Sequence, residues 1–270
     1  MQSMNVADQR YLKAWLKELG KQNAGKLWRE FVSANKLPAI DFSNAVSAVY
    51  SSNIEGNPID VNSYLASKFR GRRIQFKARD RKEIEDVESA YRFAQTHALN
   101  ERNFLTAHEM LAATLLSKSS LGKYRDRMVY VYSRAGMEYA TLESEHVPSA
   151  MRQMFAEVTQ LRRSSLNVAR TFYHAALIHL VFVHVHPFMD GNGRAARLLE
   201  KWFLASKLGR EAWHIPSEKY YKENVAAYYR NIKLGLNFYT LNYDRCVPFL
   251  TMLVKSLKPQ GTHESAPNPI

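Results

Sequence analysis

Residues 166–185, LNVARTFYHAALIHLVFVHV, constrain this chain more than any other stretch, because their second half is apolar on nearly every face. A helix without a polar face belongs in the middle of a folded domain, so other helices must surround it. It must also end abruptly, since a proline disfavours the α region for the residue before it and His186-Pro187 follows. Next comes a glycine-rich loop, Phe188-Met189-Asp190-Gly191-Asn192-Gly193, and then a second helix. There Ala195, Leu198, Leu199, Trp202 and Phe203 fall at i, i+3, i+4, i+7 and i+8, which defines its core face. Arg194 and Arg197 lie off that face, as neighbours one turn apart.

Helical periodicity of this kind dominates the chain, and the expected fold class is all-α, or mostly α. Helices are expected near 8–20, 24–34, 42–55, 59–68, 80–97, 106–115, 147–162, 166–185, 193–207, 218–234 and 244–257. One strand pair stands out, Met128–Tyr132 with Met137–Leu142, joined by Ser133 to Gly136 as the turn of a hairpin. The tail from Pro259 onward is rich in proline and polar residues and is expected to be mobile. No run reaches the ~18 apolar residues of a membrane span, and the N-terminal MQSMNVADQR has no apolar signal-peptide core. With one cysteine, Cys246, the chain can close no internal disulfide and build no cysteine metal cage. A cytoplasmic location and no membrane partner are expected.

Lysine and arginine number 38 against 25 acidic residues, a formal charge of +13 that favours polyanionic partners without choosing among them. The densest basic run, from Lys68 through Arg70, Arg72, Arg73, Lys77, Arg79 and Arg81 to Lys82, is followed at once by Glu83, Glu85, Asp86 and Glu88. It reads as a solvated loop entering a helix whose first turn welcomes acids, or as a docking patch for an acidic partner.

The junction at 186–197 has the physical chemistry of an anion site. Free N–H groups and the positive end of the helix dipole face whatever lies over Gly191 to Gly193, and two guanidinium groups reach outward from the first turn. Phosphates fit best. Asp190 suits such a site if Mg²⁺ bridges it to phosphate oxygens. His186 has the pKa range to take a proton from a hydroxyl. His174, His179 and His184 recur every five residues, about 140° apart on a helix, so they read as packing histidines and not as a zinc set. No GxxxxGK[ST] sequence occurs, which leaves a P-loop ATPase unsupported.

His186 to Arg197, HPFMDGNGRAAR, resembles the signature of the Fic domain family, H-x-F-x-[DE]-G-N-G-R-x-x-R, at every fixed position. A more distant similarity runs from about Phe42 to Leu250, including the hairpin and the segments YYRNIKLGLN and DRCVPFL. The resemblance implies a helical core with a small β-hairpin flap, divided into an N-terminal helical region (1–100), a catalytic core (101–258) and a flexible tail (259–270). It implies a protein adenylyltransferase that moves AMP from ATP, with Mg²⁺, to a Ser, Thr or Tyr hydroxyl of a protein target, possibly the enzyme itself. By the same resemblance His186 is the general base and Asp190 the metal ligand. Asn192 with the backbone of Gly191 and Gly193 holds the α- and β-phosphates, Arg194 the β-phosphate and Arg197 the γ-phosphate, while Phe188 anchors the loop.

Upstream, DFSNAVSAVYSSNIEGNP reads as a helix with Phe42, Ala45, Val46, Val49 and Tyr50 on its core face, ended by Gly56 and Pro58. Ser51 and Glu55 lie on the other side, and Glu55 stands at a helix C-terminus, where the dipole disfavours negative charge. Ser51 to Gly56 is similar to the family's inhibitory motif, [ST]-x-x-x-E-[GN]. That similarity implies a Glu55–Arg197 ion pair in place of the γ-phosphate. The hairpin resembles the flap that takes an extended target segment by main-chain pairing, although it is a few residues longer and has Thr141 and Leu142 where a proline pair is usual. Tyr139, Tyr229 and Asn237 are candidates for adenine contacts. The alternative activities are AMP removal and transfer of another nucleotide or a phosphate. A non-catalytic, nucleotide-dependent binding module is a third reading. Nucleic acid is not the expected partner, and a homodimer is a further expectation from relatives of this type.

Overall fold

The computed structural model describes residues 5–20, 23–34, 37–133 and 136–258; the tail from Pro259 and the hairpin turn residues Arg134 and Ala135 lie outside the described residues. Twelve α-helices are seen among them: α1 (Leu12–Leu19), α2 (Ala24–Ala34), α3 (Ile40–Ile54), α4 (Val61–Phe69), α5 (Ala78–Thr96), α6 (Glu101–Leu111), α7 (Val147–Arg163), α8 (Val168–Val185), α9 (Asn192–Leu208), α10 (Ser217–Glu223), α11 (Val225–Ile232) and α12 (Val247–Lys255). Two antiparallel strands, β1 (Tyr130–Ser133) and β2 (Gly136–Ala140), form the hairpin, with Val131 opposite Tyr139 and a bulge between Val131 and Tyr132. The mostly α fold expected from the periodicity is the fold observed.

Helix α8 is the hub. By length and composition it could cross a bilayer, with a mean hydropathy of 1.3, yet 78% of it is buried inside the fold. It packs against α9, α12, α2, α7 and α1. Asn167 starts it by accepting the Arg170 N–H at 2.9 Å, and His186 stops it in the left-handed region at φ 52° and ψ 59°. Its three histidines are all buried and bonded: His174 to the Val6 carbonyl, His179 to Glu200 and the Tyr228 hydroxyl, and His184 to the Tyr243 hydroxyl and the Ile232 carbonyl.

Three local expectations are corrected. The helix expected at 106–115 begins at Glu101, because Asn100 caps it by accepting the Asn103 N–H at 2.9 Å. The helix expected over 218–234 is two helices, broken at Asn224, whose side-chain amide donates to the Tyr220 carbonyl at 2.9 Å. The largest correction concerns α3. Ala45 and Val49 are buried as expected, but Phe42 is exposed and Val46 and Tyr50 are only partly covered. Ser43, Asn44, Ser47, Ser51 and Ser52 are buried instead. The polar side of α3 faces inward because charged side chains of α9 and α10 meet it there.

The acids after the basic run lie on α5. Glu83, Asp86 and Glu88 are buried, where Asp86 pairs with Lys82 and Thr114, and Glu88 with Tyr64, Lys68 and Arg92. Arg70, Arg72, Arg73 and Lys77 are exposed on the loop and Arg79 on the first turn of α5, as a solvated reading requires.

Candidate functional site

The loop between α8 and α9 is braced at every turn. Phe188 is fully buried and stacks on His108, with ring centroids 3.5 Å apart and planes 9° from parallel. His108 also bonds the Asp190 carbonyl at 3.0 Å and accepts the Gly122 N–H at 3.3 Å. Burial pushes its pKa down to about 4, so the ring is neutral at physiological pH. Asn192 closes the loop on itself, accepting the Phe188 N–H and donating to the Phe188 carbonyl, both at 2.9 Å. Its side chain is therefore engaged within the loop. The Phe188 carbonyl takes one of the two N–H donors of the Asn192 amide.

Arg125, 2% exposed, gathers the carbonyls left open where α8 stops. Its guanidinium donates to the carbonyls of His186 at 2.8 Å, Val185 at 3.3 Å and Leu142, and its backbone N–H donates to Pro187 at 2.9 Å. One side chain thus ties the hairpin's base to the residues around His186. Burial, which disfavours its charge, moves the Arg125 pKa down.

At the start of α9, Gly191 is the N-cap at φ 80°, and a Cβ there would come within 3.1 Å of Leu111. Gly193 matters more. A Cβ on it would lie 2.2 Å from the Glu55 Oε1, so the carboxylate rests directly on the first turn of α9, where backbone N–H groups lack intrahelical acceptors. An anion therefore already occupies the positive end of the helix, and that anion is a side chain of the same chain.

Arg197 completes this contact. Its Nη2 donates to Glu55 Oε1 at 2.8 Å and to the Ser51 carbonyl at 2.9 Å, its Nε donates to Ser51 Oγ at 2.9 Å, and its Nη1 donates to the Tyr228 hydroxyl at 3.2 Å. Arg197 is fully buried and Arg194 is 5% exposed, which corrects the outward-reaching arginines expected from the helix pattern. Arg194 pairs with Glu83 of α5. Burial raises the Glu55 pKa, but Arg197, Arg194 and His186 outweigh it and hold the carboxyl below the ordinary range. The Glu55 side chain keeps 28% exposure, so it sits at a mouth and not in the core.

A cavity of about 690 Å³ opens beside this pair, lined by Glu55, Gly193, His186, the hairpin, and α11 with the segment after it. The size suits a nucleotide. Burial pushes His186 down to about 4, and its Nδ1 makes a long contact, 3.4 Å, with the Val183 carbonyl. With Nδ1–H donating there, Nε2 keeps a lone pair. Tyr139 and Tyr229 both line the cavity; the Tyr139 hydroxyl donates to the His184 carbonyl at 2.9 Å and that of Tyr229 to the Ile54 carbonyl at 3.0 Å. Burial raises the Tyr229 hydroxyl to about 12. Asn237 is not among the lining residues. Its side-chain oxygen accepts the N–H groups of Tyr239 and Thr240, both at 3.0 Å, and caps a short 3₁₀ turn.

Asp190 is exposed, and one of its oxygens accepts the Gly191 N–H at 2.6 Å. Among the described residues no group of three His, Cys, Asp or Glu side chains could cage a metal. Mg²⁺ does not need one, since it commonly binds one carboxylate together with substrate phosphates and water, and Asp190 fits that donor set.

Sequence reasoning missed Arg125, His108, Glu83 and Tyr228. None carries a local signal: Arg125 and Glu83 sit in ordinary charged runs, His108 lies in an amphipathic helix, and Tyr228 stands beside Tyr229 with nothing in the sequence to separate the two. Only long-range contacts single them out. Tyr228 links Arg197 to His179 and, through it, to Glu200.

The model of the Fic/DOC family matches residues 88–204. The protein adenylyltransferase Fic of Nematostella vectensis is 38% identical over 82 residues, covering 29% of this chain and 16% of that protein. Its namesake from Culex quinquefasciatus is 26% identical over 170 residues, covering 57% and 31%. The chain spans less than a third of the length of these relatives. A crystal structure of a Fic family protein from Desulfovibrio desulfuricans G20 superposes with a TM-score of 0.71 at 20% identity, covering 92% of this chain and 72% of that one, a likeness of fold.

Proposed function

We propose, on the premise that residues 88–204 form a Fic/DOC family domain, that this chain transfers AMP from ATP to a Ser, Thr or Tyr hydroxyl of a protein and that Glu55 holds it inactive. The observation that carries this reading is the Glu55 carboxylate resting on Gly193 and Arg197, at the mouth of the cavity that His186 also lines.

In this reading a triphosphate takes the seat that Glu55 holds. Backbone N–H groups of the Gly191-Asn192-Gly193 segment receive the α- and β-phosphates, Arg194 the β-phosphate and Arg197 the γ-phosphate. Asp190 would hold Mg²⁺, which supplies positive charge against the departing pyrophosphate. His186 Nε2 accepts the proton of the target hydroxyl as its oxygen attacks the α-phosphorus. The new P–O bond forms while the bond from the α-phosphorus to the bridging oxygen breaks, and pyrophosphate leaves. The work is positioning and charge stabilisation, with no covalent enzyme intermediate.

Glu55 blocks this in two ways. It places negative charge where phosphates must sit, and it takes a donor of the arginine assigned to the γ-phosphate. The chain then divides by role into a region up to residue 100 that carries the brake and a core over 101–258 that carries the chemistry. The hairpin is the surface for the target segment.

Incubation with α-labelled and γ-labelled ATP tests the reading. Glu55→Gly is expected to raise transfer of the α-label to protein on the order of tenfold or more, from the lost ion pair and the freed arginine donor, and His186→Ala in that background to abolish it. Labelling that stays at the wild-type trace in Glu55→Gly overturns the brake. Transfer of the γ-label in place of the α-label overturns AMP as the group moved.

A further inference from the structure

Arg194, to which the reading above gives the β-phosphate, is not a free side chain. It is 5% exposed, and its Nη2 donates to Oε1 of Glu83, a residue 9% exposed on α5. Helix α5 is 19 residues long and packs on α3, α6 and α9, so that carboxylate is presented from a rigid element. The bond uses one of the guanidinium's five donors. The Arg194 Nε is buried and meets no hydrogen-bond partner among the described residues. A buried donor without an acceptor is costly, and a buried guanidinium without a counter-ion is costlier. Glu83 removes the second cost and leaves the first.

The unanswered donor belongs to a residue beside Gly193, on the first turn of α9, and its charge is felt by Glu55 and Tyr229, which both line the cavity. Neither Glu83 nor Arg194 is among the residues lining the cavity, but Arg194 follows the lining Gly193 on the same helical turn, and Glu83 meets Arg194 from α5. Glu83 therefore differs from Glu55, whose carboxylate stands in the cavity mouth.

We propose that Glu83 is a positioning residue: its carboxylate neutralises Arg194 and fixes the guanidinium so that its remaining donors meet the β-phosphate, without Glu83 touching the nucleotide. This rests on the nucleotide-binding part of the proposed function. A guanidinium held by a fixed carboxylate loses little freedom on binding phosphate, which is why a second layer of polar contacts sharpens the first.

ADP and AMP differ by the β-phosphate alone, so their affinities, measured by calorimetry on the full chain carrying Glu55→Gly, isolate the contact. Without Glu83, ADP affinity is expected to fall about tenfold in Glu83→Ala and about threefold in the isosteric Glu83→Gln, with AMP affinity within about twofold of the parent, the scale of one hydrogen bond to a charged group. Arg194→Ala should remove the preference for ADP, and adding Glu83→Ala to it should cost nothing more. ADP affinity unchanged in both Glu83 variants overturns the proposal, and so does a fall in AMP affinity equal to that for ADP, which marks a structural role. A parent that binds neither nucleotide overturns the proposed function and this inference together, whereas a parent that prefers ADP with Glu83 variants that keep the preference overturns this inference alone.

Discussion

His186 is the one non-glycine residue with a positive φ among the described residues. The left-handed region costs such a residue roughly 1–2 kcal/mol, and here it is held by Pro187 on one side and by Arg125 on its carbonyl. The strain turns the chain out of α8 and leaves the imidazole at the cavity wall. Burial lowers its pKa to about 4, the Val183 hydrogen bond raises it, the Arg125 charge lowers it and the Glu55 charge raises it. A base must be unprotonated to act, so falling pH should remove activity only as it approaches that value. Glu55→Gly takes away a group that raises the pKa, which shifts the acid limb further down. The rate of AMP transfer by Glu55→Gly, as kcat/KM against pH, is therefore expected to show no inflection at the ordinary histidine value of 6.5; an acid limb there would mean that the ring is solvated in the working state.

At the scale of the element, α3 shows what burial of a polar face does. Lys201 of α9 is fully buried and donates to Ser47 Oγ at 2.8 Å and to Glu218 Oε2 at 2.6 Å, while Tyr91 donates to the other oxygen of Glu218 at 2.6 Å. Ser43 bonds His214 at 2.7 Å, and Asn44 and Gln95 exchange amide hydrogen bonds. This network extends the Ser51–Arg197–Glu55 contact back along the helix, so the proposed brake would be seated by a whole face of α3 and not by one ion pair. Replacing Ser47 with valine leaves a buried ammonium short of one acceptor, a loss of about 1–3 kcal/mol, measurable by denaturant unfolding. AMP transfer should rise a few-fold in the chain that keeps Glu55 and be unaltered in the Glu55→Gly background. A rise of equal size in both backgrounds would show that Ser47 acts on the catalytic groups and not on the brake. Lys201→Met should be harsher, about 3–5 kcal/mol, because it strands the Glu218 charge.

Across the whole molecule, one apolar cluster runs from Val6 to Leu257. Its N-terminal part is not an appendage: Trp15 is fully buried, its Nε1 donates to the Leu250 carbonyl at 3.0 Å, and its ring meets Tyr173 edge-on with centroids 5.6 Å apart. Helix α1 thereby clamps α12 to α8. Trp15→Ala is expected to cost about 3–5 kcal/mol of stability, read from guanidinium unfolding followed by circular dichroism, and to lower the transition without splitting it. Two separate transitions in the parent chain would mean that the N-terminal helices fold apart from the core.

What the amino-acid order alone determined is what short-range physics can read. The apolar girdle of α8 required a central helix, His186-Pro187 required its end, and two glycines with two arginines required an anion site at the next helix start. The Ser51–Glu55 spacing, with the likeness of its motif, was enough to nominate a partner for Arg197. The buried face of α3 was not legible, because periodicity scores Ser43, Ser47 and Ser51 as solvent-facing until His214, Lys201, Glu218 and Arg197 arrive from 146 to 171 residues away to bond them. Nor were Glu83 and Arg125 legible, since a charged residue in a charged run acquires meaning only from the group it meets. Tertiary structure decided those roles, for the physical reason that burying a charge is tolerable only where the fold brings its counter-charge or its acceptors to it.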